Sequence, residues 1–326
     1  SQNGEDSGDA SYSMELEFSK ELDSGLAYML LETGDGAGVE DELKTFSNVN
    51  YDADDSDNQI QVTELWYDHN MGPASLTFGK IDASNYIDTN NYANDETTRF
   101  LGRMFRNSPT IEFPGNAAGA RLNWNPNARW NMEALVMDGD SDWEDLLDQT
   151  FTGAQAGLSP NLFDRDGQYR VLGWLSNRDH TKWNDATNTN ETAYGFRFSA
   201  DQALTDRFGI FARYAWQDPD VFLNGEDFSL EHSYSIGAQL NGAVWNRADD
   251  VIGLAFGQII PSDHYKNSGA FNAKTESHLE LYYNYALNEN VHISPDVHII
   301  WNPYGGDATN GDNTILVGGI RSQVNF

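Results

Sequence analysis

The sequence predicts an all-β fold, a transmembrane antiparallel β-barrel of about sixteen strands, and three observations predict it. Short runs alternate apolar and polar side chains, so each has one apolar face and one wet face. Aromatic residues gather at the ends of these runs on the apolar phase, as in Tyr214 and Trp216, Tyr283 and Tyr285, Trp124 and Trp301. The connections between runs alternate between short and long. A soluble sandwich also alternates in polarity, but aromatic girdles with short turns at one end and long loops at the other mark a membrane barrel.

Taken in order, strands lie near residues 11–21, 25–32, 59–69, 75–82, 117–125, 130–138, 150–159 and 168–176. The C-terminal half is clearer. In YGFRFSA at 194–200, Tyr194, Phe196 and Phe198 oppose Arg197 and Ser199. In FGIFARYAW at 208–216, Phe208, Ile210, Ala212, Tyr214 and Trp216 share one face, and Gly209, Phe211, Arg213 and Ala215 share the other. LELYYNY at 279–285 sets Leu279, Leu281, Tyr283 and Tyr285 against Glu280, Tyr282 and Asn284. The last run, 314–326, ends on Phe326 with Ile320 and Val324 facing lipid, which leaves Arg321, Gln323 and Asn325 for the lumen. Counting back from it, connections are long at 302–313, short at 288–290, long at 261–274, short at 246–249, long at 218–230, short at 202–207 and long at 177–191. The count reaches fifteen strands. Bacterial single-chain barrels have even numbers with both ends in the periplasm, so it implies one further upward strand ahead of residue 11. The opening SQNGEDSGDA is polar and acidic and reads as a processed or trimmed N-terminus. Residues 1–326 read as one barrel domain, with 83–116 as a constriction loop within it.

Composition narrows the class further. Seventeen Phe, 15 Tyr and 9 Trp are more aromatic surface than a disordered chain carries. Mean hydropathy is −0.60, and the longest apolar runs, 171–175 and 251–256, are far short of the roughly 20 residues a spanning helix needs. Barrel strands need no such run. A net charge of −32 excludes binding to nucleic acid phosphates. The acids cluster between the strand-like runs, at 35–57, 138–148 and 218–227, where they could hold divalent cations. There is no cysteine, which fits an exported bacterial protein.

Sixteen strands enclose a water-filled lumen, so function resides in whatever narrows it. The longest connection, 83–116, is long enough to fold inward. Within it, residues 95–106 have helical spacing, which puts Arg99, Arg103 and Arg106 on one face and leaves Phe100, Met104 and Phe105 off it. On the polar phase of their strands lie Arg121, Arg170, Arg197, Arg213 and Arg321, and Glu64 and Glu280 are acids available to pair with them. Arginine at mid-bilayer on the lipid side costs roughly 2–4 kcal/mol, which forces these inward. Such a ladder suits anion selectivity or hydrogen bonding to sugar hydroxyls. Trp66 and Trp174 share the inward phase, and pyranose C–H faces pack on such rings. They favour a sugar pore, with an anion-selective or general porin as the alternative. No G-x-S-x-G nucleophile elbow is present and no histidine has that context, so catalysis is not expected.

Several stretches add a resemblance. TELWY (63–67), FGKID (78–82), YANDET (92–97), PTIEFP (109–114), GQYRVLGW (167–174), RFGIFARY (207–214) and ADDVIGL (248–254) resemble successive signatures of the OprB-type carbohydrate-selective porins. ISPD (293–296), IWNPY (300–304) and VGGIRSQVNF (317–326) resemble them most. The similarity runs from about Glu64 to the end. It implies a sixteen-stranded outer-membrane barrel for passive diffusion of glucose-like sugars, with an inward loop carrying arginines. Its partners would be outer-membrane lipid, lipopolysaccharide and the permeating sugars; a homotrimer stays open, and no cofactor is implied. The N-terminal part is shorter, and the acidic loops heavier, than the family pattern.

Overall fold

Alternation in the sequence becomes alternation in exposure. In the strand Glu191–Ala203, Tyr194, Phe196 and Phe198 are exposed while Arg197 and Ser199 are completely buried. The structure is a computed structural model and describes residues 7–51, 56–162, 164–268, 272–306 and 313–326. The opening acidic stretch up to residue 6, and residues 52–55 of the acidic run 35–57, lie outside the described residues.

Fifteen long strands and two short ones form one sheet. In chain order they are β1 Tyr12–Leu22, β2 Gly25–Asp35, β3 Gln61–Asn70, β4 Ala74–Ile81, β5 Ala117–Asn127, β6 Trp130–Asp138, β7 Thr150–Leu158 and the short β8 Asn161–Leu162. They continue as β9 Arg165–Lys182, β10 Glu191–Ala203, β11 Phe208–Gln217, the short β12 Val221–Leu223 and β13 Leu230–Asn241. The last four are β14 Val251–Pro261, β15 Glu276–Ala286, β16 Val291–Trp301 and β17 Thr314–Val324. Every long strand pairs antiparallel with the next long one. The register keeps like faces together. Arg197 lies opposite Ala215 and Phe198 opposite Tyr214, so the outer side builds continuous aromatic bands such as Phe196 on Trp216, 5.7 Å apart.

Ile320, Val324 and Phe326 are exposed on the outer face of β17, the last at 95%. In water such a band would be an aggregation surface; in lipid it is the solvent contact. Among the described residues, β1 pairs with β2 and β17 with β16. β1 and β17, both odd in the alternation, point the same way, and a cleft of about 680 Å³ lies between Ser13–Glu17 of one and Arg321–Phe326 of the other.

The long connections do not all stay outside. Residues 36–51 and 82–116 pack against the inner face of the sheet. One apolar cluster there joins Phe46, Phe100, Met104 and Phe105 to Phe211, Tyr282 and Tyr304. A second joins Ile87 and Ile111 to Ile81, Leu135, Phe151, Leu172 and Trp174. Small wall residues make the room. A Cβ on Gly257 would lie 2.2 Å from the Met104 methyl, and one on Gly209 would lie 2.0 Å from the Tyr92 ring.

Candidate pore constriction

The loop's helical spacing is realised over one turn only, α1 Arg103–Arg106. The sequence reading of one helix over 95–106 is corrected for two reasons. The Asp95 carboxylate accepts the backbone N–H groups of Thr97 and Thr98 and both hydroxyls, closing a turn of its own. Beyond it, the N–H groups of Leu101 and Gly102 are taken by Glu280 on β15, at 2.7 and 3.0 Å. Helix therefore starts only at Arg103. Burial alone would push the Asp95 carboxyl up, but bonds from Thr98 and Thr97 and the nearby Arg99 hold it below the ordinary carboxylate value.

The three loop arginines part company. Arg106 is buried, with Nε donating to Glu96 at 2.7 Å and the remaining nitrogens to Ser84, Asn85 and Asn107. Burial would lower its pKa, but Glu96 raises it above the ordinary value. It is a tether and does not share a free face with the other two. Arg99 and Arg103 are half-buried, and among the described residues neither guanidinium has a hydrogen-bonded partner. Arg103 lies over the Tyr51 ring at 5.7 Å, beside Arg106 at 5.5 Å.

Most of the arginine ladder is spoken for. Arg197 on β10 donates to Asp88 of the loop at 2.5 Å and to the Thr89 carbonyl. Arg213 on β11 donates to the carbonyls of Phe105 and Asp88 and to Asn94. Arg321 on β17 donates to the carbonyls of Glu96 and Arg99. Arg170 pairs with Asp201 at 2.7 Å, and Arg121 forms a two-pronged bond with Glu133 while stacking on Tyr86. The expected pairing of arginines with Glu64 and Glu280 is corrected: Glu280 holds the loop backbone, and Glu64 holds Trp66 and Asn85. Trp174 is inward but buried in the second apolar cluster, 6.1 Å from Phe151, so it is no open sugar platform.

What the structure does bring together is a chain of contacts around Trp66. Its Nε1 donates to Glu64 at 3.0 Å, and its ring stacks on Tyr28 at 4.7 Å. Glu64 accepts from Asn85, which accepts from Arg106, and Arg106 shares Tyr51 with Arg103. The inner face is less covered on this side, where Tyr28 and Trp66 are half-buried. Glu15 and Glu17 of β1 lie on the inward face, in register with Glu32 and Leu30, and are exposed, whereas the inward residues Arg197, Ser199, Glu276 and Glu280 are completely buried. Sequence reasoning missed Tyr28, Tyr51, Tyr86 and Asp88. Tyr28 was within reach, because it stands opposite Trp66 in the register; the loop residues were not, because no periodicity reports a loop's path.

Three comparisons bear on this geometry. A family model described as carbohydrate-selective porin, OprB family, matches residues 4–326. An uncharacterized protein of Aquifex aeolicus (strain VF5) is 23% identical over 227 residues, covering 70% of this chain; the chain spans 59% of that relative's length. The high-pH structure of Pseudomonas putida OprB superposes with a TM-score of 0.81 at 16% identity, over 98% of this chain and 91% of that one. The outer membrane channel DcaP of Acinetobacter baumannii gives 0.57 at 12% identity, over 96% and 84%.

Proposed function

The chain belongs to the carbohydrate-selective porins of the OprB family, and from that premise we propose that it is an outer-membrane pore for passive diffusion of glucose-like sugars, selected beside Trp66. The observation that carries the reading is the stacked, half-buried pair Trp66 and Tyr28 on the inner wall, linked through Glu64, Asn85 and Arg106 to the loop that carries Arg103. Trp66 and Tyr28 offer a π face to pyranose C–H groups and Arg103 offers donors to hydroxyls, while buried Glu64, its two oxygens taken by Trp66 and Asn85, fixes the indole. A sugar held by stacking and a few bonds leaves again quickly, as conduction requires. The pore turns nothing over.

The alternative, an anion-selective or general porin, rests on Arg99 and Arg103, which have no hydrogen-bonded partner among the described residues. Exposed Glu15 and Glu17 on the inward face of β1 oppose it, because rings of acid repel anions at short range. Planar-bilayer conductance in salt, titrated with glucose, tests the proposal. Sugar should block the current, and Arg103→Ala should weaken block about tenfold, since a hydrogen bond to a charged group contributes roughly 1.5–3 kcal/mol. Block that is absent in the native protein, with a strong chloride preference in reversal potentials, would overturn the sugar reading. Assembly as a trimer belongs to the same proposal, and cross-linking in detergent checks it.

A further inference from the structure

The inner face of β15 and β16 carries a cluster that the solute path does not use. Glu276, His278 and Glu280 alternate inward on β15, and Asp296 and His298 on β16, with Glu280 directly opposite His298. His278 Nε2 and His298 Nδ1 lie 2.9 Å apart. The Glu280 carboxylate lies 3.8 Å from the same His298 Nδ1, and the three potential ligand atoms all fall within 4.8 Å of one another. Each residue is 0 or 1% exposed.

The surroundings orient the set. His298 directs its other nitrogen, Nε2, to the Asp296 carboxylate at 3.2 Å. A carboxylate on the far nitrogen fixes the tautomer, so that Nδ1 presents its lone pair to the cluster. Glu280 is oriented by the loop N–H groups of Leu101 and Gly102. His278 Nδ1, by contrast, is buried without a hydrogen-bond partner, as is Asp296 Oδ2, so the protein encloses more polar groups here than it satisfies.

We propose that His278, Glu280 and His298 form a binding site for a divalent transition-metal ion, zinc by its donor set, with Asp296 as the positioning residue. Two imidazoles and one carboxylate are a three-ligand zinc set with one position left for water, whereas calcium and magnesium take six or more oxygens. Zinc–nitrogen bonds of about 2.0–2.1 Å set tetrahedral ligands roughly 3.3 Å apart, so the histidine pair opens by a few tenths of an ångström when an ion replaces their shared proton. Because Glu280 also carries the loop backbone, the ion fastens the constriction loop to the wall. Entry passes under that loop, so uptake is slow.

The test uses the whole protein in detergent, stripped with a chelator, incubated with zinc and desalted. Plasma mass spectrometry should count one zinc retained per chain, with a higher unfolding temperature of the heat-modifiable band and no such rise with magnesium or calcium. Cobalt in place of zinc should give the visible absorption of a low-coordinate nitrogen and oxygen site. His298→Gln and His278→Gln, each checked for a folded barrel on the same gel, should lose retention, and Asp296→Asn should weaken it ten- to a hundredfold. A folded native protein that retains no zinc overturns the proposal. So does retention unchanged in both histidine variants, which would place the ion on the acidic loops.

Discussion

Asp88 shows how much one side chain decides. It sits in the loop at φ +67°, completely buried, and receives Arg197, the Ser108 N–H and, at 3.7 Å, the Nε of Arg213. Removing one partner of a buried pair costs about 3–5 kcal/mol, because the other charge is left unpaired. Asp88→Asn strands two guanidiniums that are 0 and 3% exposed. The expected outcome is a loop released from the wall. Single-channel conductance in salt should rise and sugar block should fade, while the barrel still migrates as a folded band. Unchanged conductance would mean the loop is held elsewhere.

At the scale of the element, the constriction loop is docked by shape and by charge. Met104 enters the space that Gly257 leaves open, and Phe100 lies edge-on to Tyr282 at 4.9 Å. Gly257→Leu fills the Met104 space, and overpacking a filled site costs about 1–3 kcal/mol. That variant should conduct more and expose the loop to protease, with β-content by circular dichroism unchanged. The Asp95 turn adds a pH dependence. Its carboxyl is held below its ordinary 3.8, so its stabilisation is present above that value and lost as pH falls through the depressed one. Conductance is therefore expected to stay level from neutral pH down to about 4 and to climb only below 3.8. Asp95→Asn should remove that climb; a rise centred near pH 6 instead would point to a histidine.

For the whole molecule, the outer face is what lipid holds. Ile320 lies near the middle of β17 and is 76% exposed to it. Ile320→Arg should lower stability in lipid vesicles by roughly 2–4 kcal/mol in urea titration, whereas a change at its inward neighbour Gln323 should cost far less. The same parity governs the two end strands. Both run in one direction beside their cleft.

Much of this was legible in the chain. Strand positions, the inward phase of Arg197, Arg213 and Arg321, and the lipid phase of Phe326 follow from a period of two, which backbone geometry imposes on any strand. The length of the longest connection, 83–116, left room for the inward course it takes. The paths of the two inward connections and the partners of the arginines were not legible, because they depend on contacts between residues a hundred or more apart, such as Arg197 with Asp88 and Arg213 with the Phe105 carbonyl. Periodicity assigned a face to each arginine but could not say what covers that face. The sequence by itself determined a barrel with a basic inner wall; only the tertiary structure decided that Arg197, Arg213 and Arg321 of that wall clamp a loop, while Arg99 and Arg103 have no hydrogen-bonded partner among the described residues, since an ion pair forms wherever folding brings its partner within reach.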